Sequence, residues 1–117
     1  MYDVTAFPRA SGIKYYHISL LDDASEDILS VFKEYVPKID QIIKEGGRVL
    51  VHCAMGVSRS AALCVAYLMY RLNKSPNNAI SNIHRPIKPN KGFRKALDLY
   101  ADYLNINYLM CEDGMIL

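Results

Sequence analysis

The stretch Arg48-Val49-Leu50-Val51-His52-Cys53-Ala54-Met55-Gly56-Val57-Ser58-Arg59-Ser60 passes from a β-branched, apolar run into a glycine-containing loop, and from there into Ala61 to Tyr70, a run of strong helix formers. The pattern is strand, tight loop, helix, with the strand of the buried type and Cys53 at the junction. In that geometry the backbone N–H groups of residues 54 to 59 curl round one point and add to the positive end of the helix dipole, which makes a nest for a dianion. Gly56 supplies the backbone freedom that the curl needs.

Each residue type in the stretch has a chemical reason. A thiol titrates near 8.5, but a helix N-terminus and a neighbouring cation lower that to roughly 3.5–7.5, so Cys53 is expected as a thiolate nucleophile. Arg59 offers a planar fork that binds two phosphate oxygens at once and follows them as charge shifts. Ser60 is placed to hydrogen-bond the Cys53 sulfur and stabilise it as a leaving group. Ala54, Met55, Gly56, Val57, Ser58 and Arg59 are the expected phosphate-binding residues, and His52 is expected to orient the loop. The bland reading of a cysteine in an apolar strand is core packing, and that reading suits Cys64, inside the following helix. It does not suit Cys53, which has His, Gly, Arg and Ser at fixed offsets around it.

His52-Cys53-x-x-Gly56-x-Ser58-Arg59-Ser60, followed by Ala66-Tyr67-Leu68-Met69, resembles the dual-specificity branch of the cysteine-dependent protein tyrosine phosphatases. The similarity runs over about residues 2 to 104, with two further anchors: Leu20-Leu21-Asp22-Asp23 leading to Asp27-Ile28, and Ile87-Lys88-Pro89-Asn90-x-x-Phe93. The resemblance implies an α/β fold, a compact protein-tyrosine-phosphatase-like sheet flanked by helices and here shortened at its N-terminus. It implies a protein phosphatase that acts on phosphotyrosine and on phosphoserine or phosphothreonine through a cysteinyl-phosphate intermediate, with no metal and no cofactor. It also supplies a general acid, Asp22, on the loop after Leu20, with Asp23 as the rival one residue on. Asn90 corresponds to a residue that braces the phosphate loop, and it also suits the cap of the helix that follows. Two other readings stay open. One is a lipid or RNA-end phosphatase on the same loop, which the uncharged Ala54, Met55 and Val57 disfavour; the other is a phosphoprotein-binding, pseudophosphatase-like module.

Outside the motif the expected order is strand 3–7, strand 13–20, acid loop, helix 25–44, a Gly46-Gly47 stop, strand 48–52, and helices 60–72, 76–83 and 92–104. Ile28, Phe32, Tyr35, Val36, Ile39 and Ile43 form one apolar stripe on the first helix, which Pro37 is expected to kink or split at a cost of about 3 kcal/mol. Asp27 fits the capped first turn of that helix. The helix after the loop is apolar nearly all round and is expected at the centre, with Tyr67 and Tyr70 in the core. Lys88, Lys91, Arg94 and Lys95 make one end basic, a solvated face that also suits steering of acidic phosphopeptides. His17 and His84 have no neighbour at metal-ligand spacing.

The chain has 117 residues, 51% of them hydrophobic, which suits one domain over residues 1–104 with an apolar tail over 105–117. A net charge of +2 gives no argument for nucleic acid or a membrane surface. Neither a signal peptide nor a membrane-spanning run is recognisable. Three cysteines, one of them nucleophilic, suit a reducing compartment, cytoplasmic or nuclear. The expected partners are phosphorylated proteins and kinases, and the expected state is a monomer or weak homodimer. The tail Tyr108-Leu109-Met110-Cys111, a turn at Glu112 to Gly114, then Met115-Ile116-Leu117, is expected to pack on apolar surface.

Overall fold

The computed structural model describes residues 14–53, 58–83 and 86–105. They form α1 (Ile28–Lys44), α2 (Arg59–Leu72), α3 (Pro76–Ser81) and α4 (Lys91–Tyr103). α2 is the centre: it packs on α1, α3 and α4. Ala61, Ala62, Leu63, Val65, Ala66 and Met69 bury most of its circumference, as its unbroken apolar sequence requires. Tyr67 is half-buried, but Tyr70 is 39% exposed and belongs to the outer face rather than the core.

α1 begins three residues later than its sequence suggests, because the preceding polar groups are spent inside the loop. Asp23 Oδ1 accepts from the Ser25 N–H at 2.8 Å and from the Ser25 hydroxyl at 2.7 Å, while the Leu21 N–H donates to Glu26 Oε1 at 2.9 Å. Asp27 is then the N-cap, accepting from the Ser30 N–H at 3.1 Å. The helix continues unbroken through Pro37, so the expected split does not occur. Pro37 faces solvent, whereas Ile28, Phe32 and Val36 are fully buried. Burying such side chains gives about 1.5–3 kcal/mol each, enough together to outweigh one proline. Tyr35 is only half-buried, and Ile43, expected on the same stripe, is exposed.

Ser75 caps α3 through the Asn78 N–H, Pro76 occupies its first turn, and the helix ends at Ser81 instead of 83. α2 stops at Asn73, in the left-handed conformation with φ 54°. Phe93, Ala96, Leu97, Tyr100 and Ala101 carry α4 onto α1 and α2, with the Phe32 and Tyr100 rings 5.4 Å apart.

Residues 14–20 and 48–53 run outside the helices, and among the described residues no strand ladder forms. The burial of 48–53 nevertheless alternates. Val49, Val51 and Cys53 pack against the core, and Leu50 between them is 84% exposed, so the run is covered on one face rather than two. Ile18 and Leu20 also turn to the core, while Tyr16 lies out at 44% exposure with its ring edge-on to Tyr35. An apolar cleft of about 250 Å³ lies between α1, α2 and the run 48–53, with the half-buried Cys64 on its wall. The expected strand over 3–7, the tail from 106 onward and His84 lie outside the described residues.

Candidate active site

The Cys53 sulfur stands at the N-terminus of α2. The Ser60 N–H donates to it at 3.4 Å, and the Ser60 hydroxyl oxygen lies 3.2 Å away. Ser60 is the second residue of the helix, so the sulfur occupies the place that an N-cap side-chain oxygen usually takes. The residue actually at the N-cap, Ser58, makes no capping bond to its own helix. Its hydroxyl instead donates to Asp22 Oδ1 at 2.7 Å and accepts from the Asn90 N–H at 3.1 Å. Diverting that hydroxyl leaves the first N–H groups of α2 to the sulfur and to an anion beside it.

Asp22, placed by sequence 36 residues from Ser58, is therefore brought to the loop. A second donor, Asn90 Nδ2, reaches the same Oδ1 at 2.8 Å. Asn90 keeps its other expected task as well, because its Oδ1 accepts from the Phe93 N–H at 2.8 Å and caps α4. One guanidinium nitrogen of Arg59 donates to the Leu20 carbonyl at 3.3 Å, which ties the side chain to the start of the acid loop. Ser58 and Ser60 are buried, Cys53, His52 and Arg59 half-buried, and Asp22 exposed. Ala54, Met55, Gly56 and Val57 lie outside the described residues.

The two neighbouring carboxylates are used differently. The Asp23 carboxyl is held below the usual carboxylate range by the backbone N–H and then the hydroxyl of Ser25. The Asp27 carboxyl is held down by the hydroxyl and then the N–H of Ser30. Both are thereby disposed to stay ionised, a poor state for giving up a proton. The basic end is less open than its sequence suggests. Arg94 is spent on Asp98 at 2.9 Å and on Asn77 at 2.6 Å, whereas Lys88, Lys91 and Lys95 face solvent.

Two contributors escaped the sequence: the side chain of Ser58, named there only for its backbone, and Gly92. A Cβ on Gly92 would lie 2.6 Å from Ala24 Cα and closer still to the Ala24 carbonyl oxygen, so the acid loop rests directly on the first turn of α4. No sequence signal distinguishes a serine that caps its helix from one turned to a carboxylate far away in the chain.

Residues 2–103 match the family described as the catalytic domain of dual specificity phosphatases. The chain is 34% identical over 106 residues to dual specificity phosphatase 28 of Mus musculus, covering 88% of this chain and 65% of that protein. It is 40% identical over 93 residues to protein phosphatase Slingshot homolog 3 of Homo sapiens, covering 77% of this chain and 14% of that one. The chain thus spans less than two thirds of either relative's length. Among solved structures, human DUSP28 superposes with a TM-score of 0.79 at 32% identity, covering 84% of this chain and 71% of that chain. The human tyrosine phosphatase-like serine/threonine/tyrosine-interacting protein superposes with a TM-score of 0.76 at 33% identity, covering 84% and 68%.

Proposed function

The chain belongs to the dual specificity phosphatase family, and from that premise we propose that it hydrolyses phosphotyrosine and phosphoserine or phosphothreonine in proteins through a phosphate ester of Cys53. The observation that carries this reading is the Cys53 sulfur bonded to both the N–H and the hydroxyl of Ser60 at a helix N-terminus, with a carboxylic acid on the adjoining loop.

Those positions support the following proposed steps. The Cys53 thiolate attacks phosphorus as the bond from phosphorus to the substrate oxygen breaks, and Asp22 gives its proton to that oxygen. Arg59 and the N–H groups of residues 54 to 59 hold the three remaining phosphate oxygens. A water molecule then attacks phosphorus, its proton passes to the Asp22 carboxylate, and the sulfur leaves as a thiolate that Ser60 stabilises. His52 orients the loop from the preceding segment. No step draws on a metal or cofactor.

We also read residues 14–20 and 48–52 as strands of the sheet that this family carries. The alternate burial of Val49, Leu50 and Val51 supports that placement. Among the described residues no helix is long and apolar enough to cross a membrane. The substrates proposed are phosphorylated proteins of the cytoplasm or nucleus, kinases included, met by a monomer or weak homodimer.

One preparation assayed on p-nitrophenyl phosphate, phosphopeptides, a phosphoinositide and a triphosphate-ended RNA tests the reading. Turnover of the first two is expected. Preference for the lipid or the RNA would move the chain to another substrate class, and saturable phosphopeptide binding with no turnover would make it a binding module.

A further inference from the structure

The geometry points to a seat for the acid loop, built from the Ser58 hydroxyl, the Asn90 side-chain amide and the bare Cα of Gly92, that positions Asp22 for proton transfer. The inference rests on the phosphatase reading and on Asp22 as its acid. Three observations converge on it. Ser58 and Asn90 both donate to the same oxygen, Asp22 Oδ1, at 2.7 and 2.8 Å. That fixes the carboxyl at one end and leaves Oδ2 as the oxygen to carry the proton. The Asn90 N–H in turn donates to the Ser58 hydroxyl at 3.1 Å, which orients the hydroxyl hydrogen toward Asp22. Two residues on, Gly92 meets the Ala24 backbone where no Cβ fits, so the loop sits flat on the first turn of α4.

Whereas the Ser58 N–H belongs to the phosphate loop, the Ser58 hydroxyl, the Asn90 side chain and Gly92 touch neither the scissile bond nor its leaving group. They act through Asp22 and are positioning residues. The diverted capping bond of Ser58 is the structural cost of the arrangement, since a serine at an N-cap normally stabilises its own helix. The sulfur takes over that position, so one diverted hydroxyl serves both halves of the site.

A loss confined to proton donation shows as leaving-group selectivity. Phenyl phosphate needs a proton on its departing oxygen, whereas difluoromethylumbelliferyl phosphate departs without one. Ser58→Ala, Asn90→Ser and Gly92→Ala are each expected to lower kcat on phenyl phosphate at least tenfold more than on the fluorogenic ester. Asn90→Ser keeps an oxygen to cap α4, and Ser58→Thr keeps the hydroxyl and is expected to restore the parent ratio. In an Asp22→Asn background the same changes should add no selective loss, because what they position is gone. Equal losses on both esters in all three variants would overturn the seat while leaving the phosphatase reading intact. A parent enzyme that turns over neither ester would overturn that reading itself, and an Asp22→Asn variant without selectivity would overturn the acid assignment, each taking the seat with it.

Discussion

At Cys53 two requirements meet in one atom. The sulfur caps α2 through the Ser60 N–H, and an anion is the better acceptor at that end of a helix, so the contact that completes the helix also suits the thiolate proposed as nucleophile. Asp22 and Asp23 differ in where their hydrogen-bond partners lie, and that difference favours Asp22 as the proposed acid. Asp23 is closed into a turn with Ser25, whereas Asp22 faces Ser58 and Asn90 across the site. Asp22→Asn is therefore expected to lower kcat on phosphotyrosine peptides by about 10²–10⁴-fold. Asp23→Asn should stay within about threefold of the parent, since no substrate proton passes through it. Steady-state kinetics on the two variants checks this, and the reverse pattern would move the acid by one residue.

The helices carry their own tests. Asp27 holds the first turn of α1 through Ser30, so Asp27→Ala should cost about 0.5–2 kcal/mol in a denaturant titration. Its carboxyl sits below its ordinary pKa in the fold, so its contribution is present above about pH 4 and is lost as pH falls through the lowered folded value. Pro37→Ala should stabilise by on the order of 1–3 kcal/mol, since the side chain faces solvent and alanine restores the missing N–H. A variant that melts with the parent would show that the helix has already absorbed the proline. The helices and their core faces were legible in the sequence because periodicity and caps are local signals. Ile28, Phe32, Val36 and Ile39 recur at helical spacing and are buried as expected. What local pattern could not carry was the use of a polar group over a long separation. Ser25 and Glu26 read as helix but belong to the loop, and Ser58, read only for its backbone N–H, turns its hydroxyl to Asp22. Leu50 read as buried because its neighbours are apolar, yet coverage of its face depends on what lies across from it.

At the scale of the molecule, the described residues share one core cluster in which α2 is clasped by α1 and α4, and Tyr100 closes it between Phe32 and Tyr103. Burial pushes the Tyr100 phenol well above its usual pKa. The unfolded chain therefore releases that proton from about pH 10 while the folded chain retains it, so stability falls as pH rises beyond that point. Tyr100→Phe should flatten the fall, seen as a smaller drop in Tm between pH 9 and about pH 11 than the parent shows. An equal drop would place the alkaline sensitivity elsewhere.

If phosphate passes through Cys53, the ester it forms there can be trapped. Ser60→Ala removes the hydroxyl beside the sulfur and should slow departure of the thiolate more than its attack. Acid quench of that variant turning over p-nitrophenyl phosphate, followed by peptide mass spectrometry, is expected to find one phosphoryl group on Cys53, after a burst of p-nitrophenol. The same experiment on Cys53→Ser should show no burst and no turnover, with phosphate still bound by the loop. Turnover persisting in Cys53→Ser, or a phosphoryl group found on any other residue, would rule out Cys53 as the nucleophile.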